Sequence, residues 1–171
     1  PSKGKDRIIV PTVLGDRCRL RSQDNFTFPL ISKIRCFRET EEVLNFWAQE
    51  PATALRSGGL GVRELKDLSA HLGVDETCAA FVAEVSYLAG LLTIDPDDKI
   101  LPTHQFDIWL TQSPSDRWQA LSAPWLITSR VSGLVGRAEA KNVAALGPEL
   151  DRVNAASTRK LVLDLLAQSP G

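Results

Sequence analysis

Residues 57–61 form a glycine-rich string directly before a predicted helix, the position at which many proteins hold phosphate groups. The string is Ser-Gly-Gly-Leu-Gly. A phosphate-binding loop would continue with Gly-Lys-Ser or Gly-Lys-Thr, and a dinucleotide site would place its glycines after the strand of a βαβ unit. Val62, Arg63 and Glu64 follow instead. The pattern therefore predicts a backbone turn and no nucleotide site.

The chain is poor in side chains that bind metals or form nucleophile–base pairs. Its two histidines, His71 and His104, have no Cys, Asp or Glu at the spacing of a metal site. The three cysteines, Cys18, Cys36 and Cys78, fit neither a disulfide framework nor a zinc site, which favours a reducing interior. The four tryptophans fall on apolar helical stripes and are expected in the core. We therefore predict that the chain is not an enzyme and uses no cofactor and no metal.

Basic side chains alternate with other residues in two N-terminal stretches. The first contains Arg17, Arg19 and Arg21, and the second contains Lys33 and Arg35. Residues 21–37 alternate loosely between apolar and polar types, which favours an extended or irregular segment. On extended chain each basic set would point to one side and could contact a nucleic-acid backbone. Alternatively, these side chains pair with acidic residues of the same molecule, and both interpretations stay open.

Apolar spacing and capping residues predict the elements of the central part. A helix extends from about Thr40 to Pro51, and residues 53–56 can form a short strand. Residues 62–72 have helical apolar spacing, and Asp75 caps a second helix that ends near Ala89. Apolar residues 91–94 and 99–101 flank a turn at residues 95–98, which predicts a β-hairpin. Further helices are expected at residues 103–112, from about 115, and from Ser157.

Helix, short strand, helix, turn, helix and β-hairpin is the order of a winged helix-turn-helix. We therefore predict an α+β fold that is mostly α, with a small β-hairpin wing and flanking helices. The predicted domains are a basic N-terminal segment at 1–37, a winged-helix domain at 38–112 and a helical C-terminal extension at 113–171. Pro11 and Pro102 occur in similar sequence settings, each followed by Thr, so residues 1–37 could include the tail of a preceding winged-helix unit.

Charge is distributed very unevenly along the chain. Residues 39–116, the acidic middle block, contain 4 Lys or Arg against 14 Asp or Glu. The basic flanks are residues 1–38, with 9 basic and 3 acidic side chains, and residues 117–171, with 7 and 4. Because affinity for phosphate depends on local charge, the acidic middle block is unsuited to nucleic acid.

The second helix of a helix-turn-helix usually enters the major groove of DNA. On the predicted helix at 75–89 the outward positions would be Glu76, Ala79, Ala80, Ala83, Glu84 and Tyr87, none of which is basic. The hairpin tip adds Asp95, Asp97 and Asp98 against Lys99. We therefore predict that Glu76, Glu84 and the three aspartates form an acidic interaction surface for a protein or neighbouring domain.

Several strings resemble a known family, the bacterial and mostly actinobacterial helicase-associated domain proteins. They include Leu55-Arg56-Ser57-Gly58-Gly59-Leu60-Gly61-Val62-Arg63-Glu64-Leu65, Leu101-Pro102-Thr103, Trp109-Leu110, Arg117-Trp118 and the stretch at 161–166. That family is related to the region preceding the motor in XPB-type DNA helicases. The resemblance covers about two thirds of the chain. It implies a winged-helix fold and an association with DNA helicases or repair, and it supplies no catalytic residues.

Together these patterns predict a non-enzymatic winged-helix module of a helicase-associated DNA-metabolism or repair protein. It would act mainly as a protein or inter-domain interaction surface, with a DNA helicase or other domains of a longer parent chain as partner. The alternative is direct DNA binding through Arg17, Arg19, Arg21, Lys33 and Arg35. The chain contains no apolar run of transmembrane length, so a cytoplasmic location is expected, with nucleoid association as an alternative.

Overall fold

The computed structural model describes residues 27–136 and 143–168. These residues form a mostly helical structure with a small three-stranded antiparallel sheet, which confirms the predicted α+β class. The helices are α1 (Thr27–Gln49), α2 (Val62–Leu72), α3 (Glu76–Leu88), α4 (Gln105–Thr111), α5 (Pro114–Ile127) and α6 (Ala155–Gln168). The strands are β1 (Ala52–Thr53), β2 (Leu92–Ile94) and β3 (Lys99–Pro102), and two short 3-10 turns lie at Ser132–Leu134 and Pro148–Leu150.

Local capping determines where α2 ends and α3 begins. Gly73 adopts the left-handed conformation, with φ of 64°, directly after α2. The Asp75 carboxylate then accepts a hydrogen bond of 2.8 Å from the backbone N–H of Cys78 and caps α3. Both helix boundaries therefore lie where the sequence predicted them.

The sheet is built on the predicted hairpin. β2 and β3 pair antiparallel with Ile94 opposite Ile100, and β1 pairs with the other side of β3, so the strand order is β1-β3-β2. The Asp95 carboxylate closes the hairpin turn, because it accepts hydrogen bonds from the backbone N–H groups of Asp97 (2.9 Å) and Lys99 (2.7 Å).

Helix α1 begins earlier than predicted. The sequence pattern favoured extended or irregular chain over residues 21–37, whereas α1 starts at Thr27 and continues without a break to Gln49. The physical reason is that Leu30, Ile31 and Ile34 are also spaced by three and four positions, as on one face of a helix. α1 therefore crosses the predicted domain boundary between residues 37 and 38. The predicted tail of a preceding unit lies largely in residues 1–26, outside the described residues.

The core lies between α1, α2, α3 and the sheet. Fully buried side chains include Leu44 and Trp47 of α1, Leu68 of α2, Ile100 of β3 and Trp109 of α4. The C-terminal extension is part of this assembly, because α5 and the Ser132–Leu134 turn pack against α3. α3 is consequently enclosed by other parts of the chain. Within the described ranges, no helix is long and apolar enough to cross a membrane.

Candidate interaction surfaces

The glycine-rich string at 57–61 is a backbone turn, as predicted. Gly58 and Gly59 have φ of 89° and 87°, a region that only glycine enters without strain. The turn also meets the C-terminal extension, because Leu60 N–H donates a 2.6 Å hydrogen bond to the Ala145 carbonyl. A Cβ added at Gly59 would lie 2.6 Å from that carbonyl oxygen. The glycine at 59 thus allows a close approach between two segments of the chain's own backbone.

The outer face of α3 is not the open acidic surface that the sequence predicted. Glu76 is exposed, as expected, at the beginning of the helix. Ala79, Ala80 and Ala83 are fully buried, and Glu84 is only 2% exposed. The prediction that Glu84 belongs to an interaction surface is therefore wrong. Its physical reason is the packing of α5 and the following turn onto this face of α3.

Glu84 is the centre of a buried polar cluster. Its two carboxylate oxygens accept hydrogen bonds from Arg130 Nε (2.8 Å) and Nη2 (3.0 Å). The backbone N–H of Leu146 donates a third bond of 2.5 Å, and Arg130 Nη2 also contacts the Gly147 carbonyl at 2.9 Å. Burial alone would lower the pKa of Arg130, but the hydrogen bond and charge of Glu84 raise it. The cluster ties the chain after α5 to the middle of α3.

Arginines of the basic flanks form ion pairs with glutamates of the acidic middle block. The pairs in the described part of the chain are Arg35–Glu39 (2.7 Å), Arg38–Glu42 (3.5 Å), Arg130–Glu84 (2.8 Å) and Arg117–Glu41. Arg117 additionally lies 3.9 Å above the Trp109 ring and 4.8 Å from the Phe37 ring. Four glutamates of the acidic middle block are thus paired inside the molecule. Of the basic residues for which the sequence left two interpretations open, Arg35 is one of these partners, and Arg17, Arg19 and Arg21 lie outside the described residues.

The proposed nucleic-acid contacts are only partly described. Arg17, Arg19 and Arg21 lie outside the described residues. Lys33 and Arg35 belong to α1 and not to an extended segment. The extended geometry on which this contact was predicted is therefore not found at residues 33 and 35. Arg35 instead donates a hydrogen bond to Glu39.

The remaining acidic candidates lie around the β2–β3 turn. Asp97 and Asp98 are exposed, whereas Asp95 is half-buried and uses its carboxylate to shape the turn. Asp98 has a φ of 60°, which Asp tolerates better than most residues. The hairpin tip therefore presents two exposed carboxylates at the surface.

Helix α6 exposes apolar side chains to solvent. Leu161, Leu165 and Leu166 are 60%, 55% and 62% exposed, and Val162 and Leu163 are also exposed. Arg159 attaches the N-terminal half of α6 to the preceding segment, because it donates hydrogen bonds to the carbonyls of Thr128 and Arg130. Contiguous apolar surface of this kind marks protein-interaction sites in soluble proteins.

Thiols and imidazoles show no arrangement for catalysis or metal binding in the described residues, which contain no group of three potential metal ligands. Burial and the neighbouring Glu39 raise the pKa of the Cys36 thiol to about 11, so it is a poor nucleophile at neutral pH. Cys78 is buried on α3, as predicted. The ring of the exposed His71 stacks on Phe46 at 4.2 Å.

Arg117 and Arg130 were not recognised from the sequence as organising residues. Each pairs with a glutamate 76 or 46 positions away, so no local spacing marks them. The three alanines on the outer face of α3 were the available signal, since small side chains permit close packing of a covering segment. No family model, curated protein or solved structure matches this chain.

Proposed function

We propose that this chain is a non-enzymatic winged-helix module that acts through protein or inter-domain contacts in a helicase-associated DNA-metabolism or repair protein. The order α1–β1–α2–α3–β2–β3 and the strand order β1-β3-β2 support the winged-helix assignment. In this assignment α2 and α3 are the helix-turn-helix and the β2–β3 hairpin is the wing.

The observation that carries the proposal is the burial of α3. A winged helix that contacts bases must insert this helix into the major groove. Here the surface that would enter the groove is occupied by the chain's own C-terminal extension, held by the contacts of Glu84 with Arg130 and Leu146. The module therefore lacks an accessible base-contacting helix, and its outer surfaces serve other partners.

Two exposed features favour a protein as that partner. Burial of the apolar side chains of α6 against a partner would stabilise the complex, at about 25 cal/mol per Å² of apolar surface removed from water. The carboxylates of Glu76, Asp97 and Asp98 repel phosphate but attract basic side chains. The association with a DNA helicase is supported by the resemblance of residues 55–65 and the shorter strings, and by no structural feature.

A salt titration of DNA binding tests the proposal. We expect no sequence-specific binding of a labelled duplex by the full chain, measured by fluorescence anisotropy at low and physiological salt, together with co-purification of a DNA helicase. Duplex binding that protects the N–H groups of α3 from exchange would contradict it. Binding that is lost only when Arg17, Arg19 and Arg21 are changed to alanine would favour the alternative of DNA binding through the basic flank.

A further inference from the structure

A groove opens between the end of α1, the short strand β1 and the beginning of α2. It encloses about 670 Å³, which is within the range of sites that bind small molecules and peptide side chains. Phe46, Trp47 and Pro51 supply its apolar lining. The groove lies on a different part of the fold from the α3 face covered by the C-terminal extension, and none of the internal clusters described above occupies it.

Carboxylates from two elements line this groove. They are Glu50 after α1 and Glu64 and Asp67 on α2, accompanied by Arg63 and Lys99. Lys99 Nζ donates a 2.8 Å hydrogen bond to Thr53, and Arg63 approaches Asp67 only to 3.9 Å. For Glu50 and Glu64, the described residues provide no ion-pair partner within 4.0 Å.

The ion pairs formed elsewhere in the molecule determine which carboxylates of the acidic middle block remain unpaired. Glu39, Glu41, Glu42 and Glu84 of the acidic middle block are neutralised by arginines of the basic flanks. The remaining negative charge therefore lies on other carboxylates, and two of these, Glu50 and Glu64, line the groove. Asp97 and Asp98 directly precede the groove-lining Lys99 and extend the negative surface beyond the rim.

The position of Glu64 is set by the backbone. Glu64 occupies the first turn of α2, where the helix dipole stabilises a carboxylate. A Cβ added at Gly61 would lie 2.5 Å from Glu64 Oε2, so glycine at 61 leaves space for the carboxylate at this end of the helix. The carboxylate is thereby held at the groove.

We propose that the groove binds a basic peptide segment of a partner protein. The aliphatic stems of its Lys or Arg side chains would lie on Phe46 and Pro51, and their charged ends would contact Glu50 and Glu64. This inference rests on the proposed function, because it names the chemistry of the partner of the interaction module. A nucleic acid is disfavoured as the occupant, since its phosphates would face the same carboxylates.

Fluorescence anisotropy with a labelled peptide of alternating arginine and alanine tests the inference on the full chain. We expect salt-sensitive binding that weakens roughly fivefold to tenfold in the double variant Glu50→Gln and Glu64→Gln. The matched control changes Asp107→Asn and Asp164→Asn, two exposed acids outside the groove, and should alter the affinity less than about twofold. A peptide of alternating glutamate and alanine should not bind.

Several results would overturn the inference. One is equal weakening by the groove and control variants, which would mean attraction by net charge alone. Another is absence of binding to a correctly folded chain. Tighter peptide binding after Lys3, Lys5 and Arg7 are changed to alanine would identify the chain's own N-terminal segment as the occupant and not a partner. Each of these leaves the proposed function standing, because that proposal is tested by duplex binding and helicase co-purification and not by peptide affinity.

Discussion

At the scale of single residues, Gly59 is the position where one methyl group should matter most. Its φ is 87°, and the added Cβ would approach backbone atoms of Ala145 and Gly147 at 2.6–2.7 Å. A backbone segment cannot move aside as a flexible side chain does, so the steric clash of the Cβ adds to the conformational strain of the positive φ. We expect Gly59→Ala to lower the free energy of unfolding by roughly 2–4 kcal/mol, measured by urea titration.

Gly73→Ala is the matched control for this prediction. Gly73 also has a positive φ, of 64°, but a Cβ there would meet nothing within 4 Å. Gly73→Ala should therefore lower the free energy of unfolding only through conformational strain, by about 1–2 kcal/mol. Equal losses for the two variants would mean that the approach of the 145–147 segment to the turn contributes nothing to stability.

Cys36 should make stability depend on alkaline pH. Burial raises its pKa from 9.0 in the unfolded chain to about 11 in the folded one. Because the unfolded thiol loses its proton first, this contribution is complete below pH 9 and is lost as pH rises to 11, to a total on the order of 2 kcal/mol. Urea titrations from about pH 8 to about pH 11 should show a steeper fall for the wild type than for Cys36→Ala. Parallel pH profiles of the two proteins would contradict the assignment.

At the scale of elements, the attachment of the C-terminal extension to α3 depends on the Glu84–Arg130 pair. Arg130→Ala leaves the Glu84 carboxylate buried, with the Leu146 N–H as its remaining hydrogen-bond donor among the described residues. We expect a loss of about 3–5 kcal/mol in unfolding free energy, since an unpaired buried charge is costly. Arg63→Ala removes an exposed pair and should cost less than about 1 kcal/mol.

The double variant Glu84→Leu with Arg130→Leu separates charge from packing. Removing both partners leaves no isolated charge, so stability should recover by at least about half of the loss seen for Arg130→Ala. Thermal unfolding followed by circular dichroism compares the three proteins. A double variant as unstable as the single one would show that the cluster acts through geometry and not through its charges.

The elements themselves differ in how far local sequence determines them. α2, α3 and the hairpin were predictable because Gly73, Asp75 and the turn at 95–98 are local signals, and the structure places all three as expected. The face of α3 was not predictable in the same way. Periodicity separates Leu, Val and Phe from the other residues, but it cannot tell whether Ala79 and Ala83 face water or a covering segment. That depends on a chain stretch more than forty positions later.

At the scale of the whole molecule, the charge blocks were evident in the sequence, but the ion pairs between them were not. Composition shows that acidic and basic regions alternate along the chain. The folded arrangement shows that Arg117 and Arg130 pair with Glu41 and Glu84 of the acidic middle block, whereas Arg35 and Arg38 form i,i+4 pairs along α1. The two long-range pairs depend on the topology, which brings α1, α3 and α5 together, whereas the two pairs within α1 follow from local helical spacing. Because these ion pairs occupy four glutamates, the carboxylates available to a partner include those at the groove and the hairpin tip.

Arg117 contacts both α1 and α4 from its position on α5, which leads to a prediction at this scale. Its guanidinium bonds to Glu41 of α1 and lies against the rings of Phe37 and Trp109, while its carbonyl accepts a 3.1 Å bond from Trp109 Nε1. Arg117→Ala should therefore lower the unfolding free energy by about 2–4 kcal/mol, through lost packing as well as lost charge.

Arg38→Ala, which removes a largely exposed pair, should cost less than about 1 kcal/mol. Arg117→Lys keeps the charge but not the planar stack, so it should recover less than half of the loss. Full recovery by lysine would mean that charge alone holds α1, α4 and α5 together at this point.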